Sequence, residues 1–355
     1  MQIKVFCENI SVNKKDFSII REGVWLMFLP RLRKKLRNFL PVFFWKVLRK
    51  AWFGFHFVGS ERMATFTLRF KARMPTLTLQ KKIIRKMAFD RDHRLTIYAD
   101  KVMVREFVKD LIGLQYLTTS YGEYLTLENL ERSSFPKNFV LKSNHGSGAS
   151  VICWEGAPRG TILPEIHMAN IWEKYLVHPD DLEWERLVEL SNAWMKVNYY
   201  WEVGRFPEWA YKDIPPRMLL EEVLTHDGRI PEDYKFFMVN GDCLFIQLDT
   251  SRFTQHKRDL YSQNWELLDA RMLYPPSGLL IERPVHLDEM ISIAKSLSAG
   301  IDFVRVDLYI TDKGIKFGEL TNYPDGGFAD IKPRKLSIDL AKKWNQNYSL
   351  VLGNS

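Results

Sequence analysis

FVRVDLYITDKGIKFGELT, residues 303–321, is the stretch that decides the fold. Its first arm alternates: Val304, Val306, Leu308 and Ile310 point one way, and Arg305 and Asp307 the other. That is the period of a strand with one buried face. By the same period Ile315, Phe317, Glu319 and Thr321 share a face of the second arm. Between the arms, Asp312-Lys313-Gly314 suits a three-residue loop, a type I turn closed by Gly314 in the left-handed conformation. Such a loop pairs Thr311 with Ile315 and, counting along both arms, sets Asp307 directly opposite Glu319. Two carboxylates so placed repel and call for a cation. Hard oxygens at this spacing suit Mg2+ carrying phosphates, with Thr321 or Asn322 adding a neutral oxygen. Two solvated acids on an amphipathic hairpin are the plainer alternative.

More hairpins lie upstream. YKFFMV (234–239) and CLFIQLD (243–249) are joined by Asn240-Gly241, a strong two-residue turn signal. MLLEEVL (218–224) reads as a strand, and NFVLK and VICW flank NHGSGAS in a hairpin over 138–153. Helices are expected over 76–132, over 181–200, over 286–300 and from about residue 335. Pro207, Pro215 and Pro216 mark a loop region. There is no internal repeat and no low-complexity tract. The pattern is α+β, with antiparallel hairpin lobes flanked by helices, not a regular βαβ alternation.

The loop after Lys142 is rich in small residues: Gly146, Ser147 and Gly148 leave backbone N–H groups free to turn toward phosphate oxygens. No Gly-Lys-Ser/Thr follows, so it is not a P-loop, and it does not open a helix as a dinucleotide turn would. Taken alone, it reads more readily as an ordinary hairpin turn.

Bulk properties narrow the class. The 355 residues are 46% apolar and 26% charged, as expected of a folded globular protein. The net charge of +8 is carried by residues 21–50, which hold nine Lys/Arg against the single acid Glu22. A nucleic-acid enzyme would spread such charge around its cleft, so no nucleic-acid partner is expected. Within 24–58, Leu32, Leu36, Phe39 and Leu40 form one helical face opposite Arg and Lys, with Trp25, Trp45 and Trp52 nearby. This basic amphipathic segment suits an anionic membrane surface, or else packs on the body through its apolar face. Cys7, Cys153 and Cys243 are far apart and odd in number, which fits a reducing cytoplasm. No signal peptide is visible, and no apolar run reaches the roughly 18–20 residues of a spanning helix.

The order of these features is informative. Lys101 precedes Lys142, the glycine hairpin follows, then the acidic strand Glu221-Glu222-Val223-Leu224, then the Asp307/Glu319 hairpin. That order resembles the ATP-grasp superfamily. ADKVMVREFV (99–108), VLKSNHGSGAS (140–150), NYYWEVGRFPEWAYKDIPPRMLLEEVL (198–224), PEDYKFFMVNG (231–241), RVDLY (305–309) and GELTNYPDGG (318–327) look like its TupA-like branch, associated with teichuronopeptide, capsule and O-antigen biosynthesis. The match runs from about residue 75 to 335 and leaves the basic N-terminal segment outside.

The resemblance implies an ATP-grasp fold with ATP and Mg2+. Lys101 and Lys142 would contact the nucleotide phosphates, and Gly146, Ser147 and Gly148 would cover them. The Glu221-Glu222-Val223-Leu224 strand would be the hinge to the adenine, with Glu221 and the Val223 backbone meeting it. Asp307 and Glu319 would bind the metal. The asparagine usual in the family's Glu-x-Asn signature is replaced by Thr321, with Asn322 one place later, which leaves the third ligand open. Arg305 and Lys235 are candidates to stabilise the transferring phosphoryl group. The lobes expected are 1–60, a helical part at 61–135, a glycine-hairpin lobe at 136–222 and a metal and acceptor lobe at 223–355.

The implied activity is carboxylate–amine ligation in surface-polysaccharide biosynthesis. A uronic acid of a glycan or lipid-linked glycan precursor would be amidated by an amino acid or amine, in the cytoplasm and at the inner face of the membrane if 24–58 touches lipid. A glycan kinase, a nucleotide-sugar glycosyltransferase and a silent membrane scaffold are the alternatives. Arg252, His256, Lys257 and Arg258 form a cationic stretch that an acidic sugar would suit. Asp307→Asn and Glu319→Gln are expected to abolish magnesium-dependent turnover and leave the fold intact.

Overall fold

Asn240 and Gly241 both take positive φ, 49° and 86°, the backbone of the tight turn their dipeptide favours. They join strands of a five-stranded sheet in a computed structural model that describes residues 61–75, 77–166, 173–203, 206–346 and 348. The basic, aromatic stretch 24–58, and with it the expected lobe 1–60, lies outside the described residues.

In chain order the helices are α1 (Glu61–Ala72), α2 (Leu79–Phe89), α3 (Arg94–Ala99), α4 (Met103–Ile112), α5 (Trp184–Lys196), α6 (Tyr199–Glu202), α7 (Leu287–Ser298) and α8 (Arg334–Lys342). The strands are β1 (Ser120–Tyr124), β2 (Phe139–Ser143), β3 (Ser150–Cys153), β4 (Lys174–Val177), β5 (Met218–Glu221), β6 (Asp233–Val239), β7 (Asp242–Thr250), β8 (Lys257–Tyr261), β9 (Arg271–Met272), β10 (Val304–Thr311), β11 (Gly314–Thr321) and β12 (Ile331–Lys332). They form one sheet of order β1-β5-β2-β3-β4, a second of order β11-β10-β6-β7-β8, and the small pair β12-β9. Every pairing is antiparallel except that of β3 with β4. The α+β class expected from the hairpin pattern is the class observed.

Two cores sit within residues 61–355. In the first sheet Phe139, Leu141, Val151, Cys153 and Leu220 face α5, whose Leu187, Leu190 and Trp194 recur at i, i+3 and i+7 and are fully buried. In the second, Val304, Val306 and Leu308 pack with Phe236, Met238 and Ile246, and with Leu287, Met290, Ala294 and Leu297 along one stripe of α7. Burying each such side chain is worth about 1.5–3 kcal/mol, so both sheets are fixed by ordinary apolar packing. Cys153 and Cys243 are buried free thiols. Burial pushes them up to about 11 and about 12 respectively. Among the described residues no helix is long and apolar enough to cross a membrane.

The deciding hairpin differs from its reading in one instructive way. The ladder closes at Thr311 with Gly314, one residue tighter than expected, although Gly314 does take positive φ (85°). Left alone, that would place Asp307 opposite Gly318. A β-bulge restores the count: Leu308 pairs with Phe317, and Asp307 with Glu319. The expectation that Ile315, Phe317, Glu319 and Thr321 share a face is therefore wrong. Ile315, Phe317 and Leu320 are buried in the core, and Glu319 and Thr321 belong to the polar face with Asp307 and Arg305. Gly318 is needed there, because a Cβ would stand 2.7 Å from the Tyr309 ring and 3.1 Å from the Asp307 carbonyl oxygen.

Candidate active site

The polar face of the second sheet carries ionised groups on adjacent strands. Asp307, on β10, is 1% exposed, and both its oxygens are taken. Arg305 donates from Nε to Oδ1 (2.6 Å) and from Nη2 to Oδ2 (2.7 Å), and Lys235 on β6 donates to Oδ2 (2.6 Å). Arg305 Nη2 also reaches Glu319 Oε1 at 2.8 Å. The repulsion between the opposed carboxylates is thus offset in the protein itself by an arginine fork bridging them. Glu319 is different, with 34% of its side chain exposed. Burial would raise its pKa, but Arg305, then Lys101, Lys174 and Lys235, hold it down to about 2. Four cations from separate elements therefore act on one ionised, outward-facing carboxylate.

Lys235 is locked between Asp307 and Asp233 (3.1 Å), and Arg252 pairs with the other oxygen of Asp233. Those cations keep the Asp233 carboxyl well below the usual carboxylate range against the opposing effect of burial. Lys235 is 5% exposed, with its ammonium donating to both Asp307 and Asp233.

A hard cation fits the oxygens present. Glu319 Oε2 has no hydrogen bond among the described residues, and Asn322 Oδ1 is a buried acceptor with none. Thr321 Oγ1 stands 3.2 Å from Glu319 Oε1. Asn322 donates its amide to Leu95 O (2.8 Å), tying the end of β11 to α3. Glu319 is the most available ligand, and Asp307 would share itself with Arg305 and Lys235.

The glycine hairpin is braced at its base. His145 is 3% exposed, with Nδ1 2.7 Å from Ser143 Oγ and Nε2 3.1 Å from Trp194 O. Asn144 donates to Asp100 Oδ1 (2.9 Å) and accepts from Arg217 N (2.7 Å). Gly146 is buried, Ser147 exposed, and Gly148 takes φ 98°, closed to most side chains. The Lys101 ammonium donates to Gly146 O, which ties α3–α4 to the loop. Desolvation pushes Lys101 down to about 8, opposed mainly by Glu319 and reinforced by Lys142. Lys101, Lys142 and the glycine loop, read separately from sequence, thus meet in space.

The acidic strand is more occupied than the resemblance implies. Glu221, 4% exposed, is the counter-ion of Lys142 and of Arg105 (2.6 Å). Glu222 accepts from Thr119 N (2.9 Å) and Oγ1 (2.8 Å) and pairs with Lys313. Val223 is half-buried. The hairpin tip is fastened here: Asp312 N donates to Thr225 O (2.9 Å), and its carboxylate accepts from Thr225 Oγ1 (2.7 Å) and Asp227 N (2.9 Å). The two ends of the expected nucleotide site are therefore mechanically joined.

Several residues here were not read from sequence. Asp233 stands two places from Lys235, the same alternation as Arg305 and Asp307, and could have been found by that signal. Lys174 follows a loop and carries no such mark. Glu208 lies beside Asp325, and desolvation, then Asp325, pushes its carboxyl up to about 8. The cationic stretch at 252–258 is partly spent inside the protein. Arg252 neutralises Asp233, Arg258 grips Asp249 (2.6 and 3.0 Å), and His256 lies 3.3 Å from the same carboxylate.

A glycine hairpin on one sheet and opposed carboxylates on the next are the parts that the resemblance to the ATP-grasp superfamily leads one to expect. The family model described as TupA-like ATPgrasp matches residues 79–343, and the chain belongs to that family. The ATP-grasp fold expected from the sequence is the one observed. No curated protein matches the chain. Among solved structures, the ATP-grasp ligase PsnB complexed with minimal precursor is 14% identical, covering 71% of this chain and 62% of that chain with a TM-score of 0.35. D-alanine–D-alanine ligase from Bacillus anthracis is 15% identical, covering 70% and 64% with a TM-score of 0.36. The purK N5-carboxyaminoimidazole ribonucleotide synthetase, as its ADP complex, is 13% identical, covering 65% and 46% with a TM-score of 0.35. The chain spans about three fifths of the length of the first of these, 62%.

Proposed function

We propose that the protein is an ATP- and Mg2+-dependent carboxylate–amine ligase that amidates a uronic acid of a surface-polysaccharide precursor with an amino acid or amine. The observation that carries this reading is Asp307 paired with Glu319 across β10 and β11 and bridged by Arg305, with a glycine hairpin that Lys101 fastens on the other sheet. Such an array suits a polyphosphate whose charge rises and shifts during transfer.

A carboxylate is a poor electrophile and must be activated. Its oxygen attacks the γ-phosphorus of ATP, breaking the bond to the β-phosphate oxygen, and ADP departs. The amine then attacks the carbonyl of the acyl phosphate, phosphate leaves with the bonding pair, and the amine loses a proton. Arg305, whose guanidinium is fixed by Asp307 and Glu319, would offset negative charge as it develops beside them. Lys101 and Lys142 hold the nucleotide phosphates under the glycine loop. Mg2+, held by Glu319 and Asp307 with Thr321 or Asn322, would neutralise charge on the phosphates. No protein nucleophile is needed.

The products test the reading. A uronic-acid oligosaccharide, Mg-ATP and a mixture of amino acids followed by phosphorus NMR should give ADP and free phosphate in step with amide formation. A phosphomonoester on the glycan would make the enzyme a kinase and overturn the ligase assignment.

A further inference from the structure

Helix α1 buries one side and leaves the other bare. Leu68 and Ala72 are each 1% exposed and pack into the core. On the opposite side Phe66 and Phe70, one helical turn apart, are each 64% exposed. Met74 and Leu77, just beyond the helix, are 51% and 55% exposed. Arg69 and Arg73 are exposed beside the phenylalanines. The only acid of α1, Glu61, is at its first turn and lies 3.8 Å from Lys212. Lone exposed apolar residues need no explanation, but two phenylalanines flanked by arginines on one helix face do.

We propose that this face of α1, Phe66 and Phe70 with Arg69, together with Arg73 in the turn that follows, seats the protein on an anionic lipid bilayer. The charge argues for lipid: apolar rings interleaved with cations, with no acid in the helix after Glu61, match the boundary between acyl chains and anionic headgroups. In the sequence the whole net charge of the chain lies shortly before this helix, in residues 21–50, so the stretch of chain that carries the exposed rings follows a strongly basic one. The inference rests on the exposed face and not on the ligase reading, and it survives if that reading fails.

The test is flotation of the full chain with phosphatidylcholine vesicles, with and without phosphatidylglycerol. Wild type should float with the anionic vesicles. Phe66→Ser/Phe70→Ser should bind them roughly tenfold or more weakly, with an unchanged melting temperature, since neither ring is buried. Arg69→Glu/Arg73→Glu, which keeps the rings, should also weaken binding and guards against a folding artefact in the first variant. Binding by both variants equal to wild type would overturn the proposal and leave any attraction to the upstream segment alone. A concentration-dependent dimer in sedimentation, abolished by the phenylalanine variant, would overturn it in favour of self-association.

Discussion

In the first sheet the charged groups that matter, Lys142 and Glu221, stand at the ends of otherwise apolar strands, and the glycine loop lies just beyond them. In the second the strands themselves carry the charge. Phe139, Leu141, Val151 and Leu220 make the first sheet a dry support for a glycine loop. Asp233, Lys235, Arg305, Asp307 and Glu319 occupy the body of the second, above a core of Val304, Val306 and Leu308. A loop adapts to a ligand, whereas a strand position does not. The first sheet is therefore suited to gripping and releasing a nucleotide and the second to holding reacting groups still. Substitutions of the buried charges of the second should cost both stability and turnover, that of its part-exposed Glu319 mainly turnover, and those in the first should act mainly on nucleotide affinity.

The largest effect is expected at Asp307. Asp307→Asn leaves Arg305 and Lys235 without their shared buried counter-ion, and should cost about 3–5 kcal/mol in urea unfolding as well as turnover. The fold is thus not indifferent to this substitution, contrary to the sequence expectation. Glu319→Gln sharpens the contrast. Its side chain is 34% exposed, so the stability loss should be about 1 kcal/mol or less, whereas kcat should fall at least ~100-fold. Equal stability losses in the two variants would break the comparison.

On the first sheet, Gly148→Val forces a branched side chain to φ 98° and should raise KM for ATP about tenfold with kcat little changed. Lys101 supplies a pH signature. Its ammonium is cationic below about 8 and neutral above, so kcat/KM for ATP should fall as pH rises through that value in the free enzyme. Lys101→Arg should remove that inflection. Glu319, held down to about 2, stays ionised throughout and contributes no limb near neutrality. The smallest effect is expected for Lys313→Ala. Its ammonium is largely exposed, so losing the pair with Glu222 should cost no more than about 1 kcal/mol and change KM for ATP slightly.

Much of the second sheet was legible because short-range rules govern it. Asn240-Gly241 announced its turn, and alternation placed Arg305 and Asp307 on one face. Asp307 was correctly set opposite Glu319 for an incomplete reason. The turn is one residue shorter, and the bulge at Gly318 supplies the missing count. An apolar Ile315 and Phe317 followed by an acid at the same period was a conflict, and a glycine between them is how strands resolve it. Strand β8 escaped because Arg258 and Asp259 break an apolar pattern, and the burial of Arg258 makes sense only with Asp249 across the ladder. Strand β4 pairs in parallel with β3 after a long excursion, and nothing local in Lys174–Val177 records that partner. Glu221 shows the same limit: the sequence located the strand, but its counter-ions Lys142 and Arg105 come from far along the chain.

The most direct test of the account is the melting temperature of the protein with Mg-ATP, with Mg-UDP as control. A ligand that binds only the native state must raise it. A rise with ATP that requires Mg2+ and is lost in Lys142→Ala is expected, and none with UDP. A rise with UDP and not ATP, or no rise with either, would contradict it.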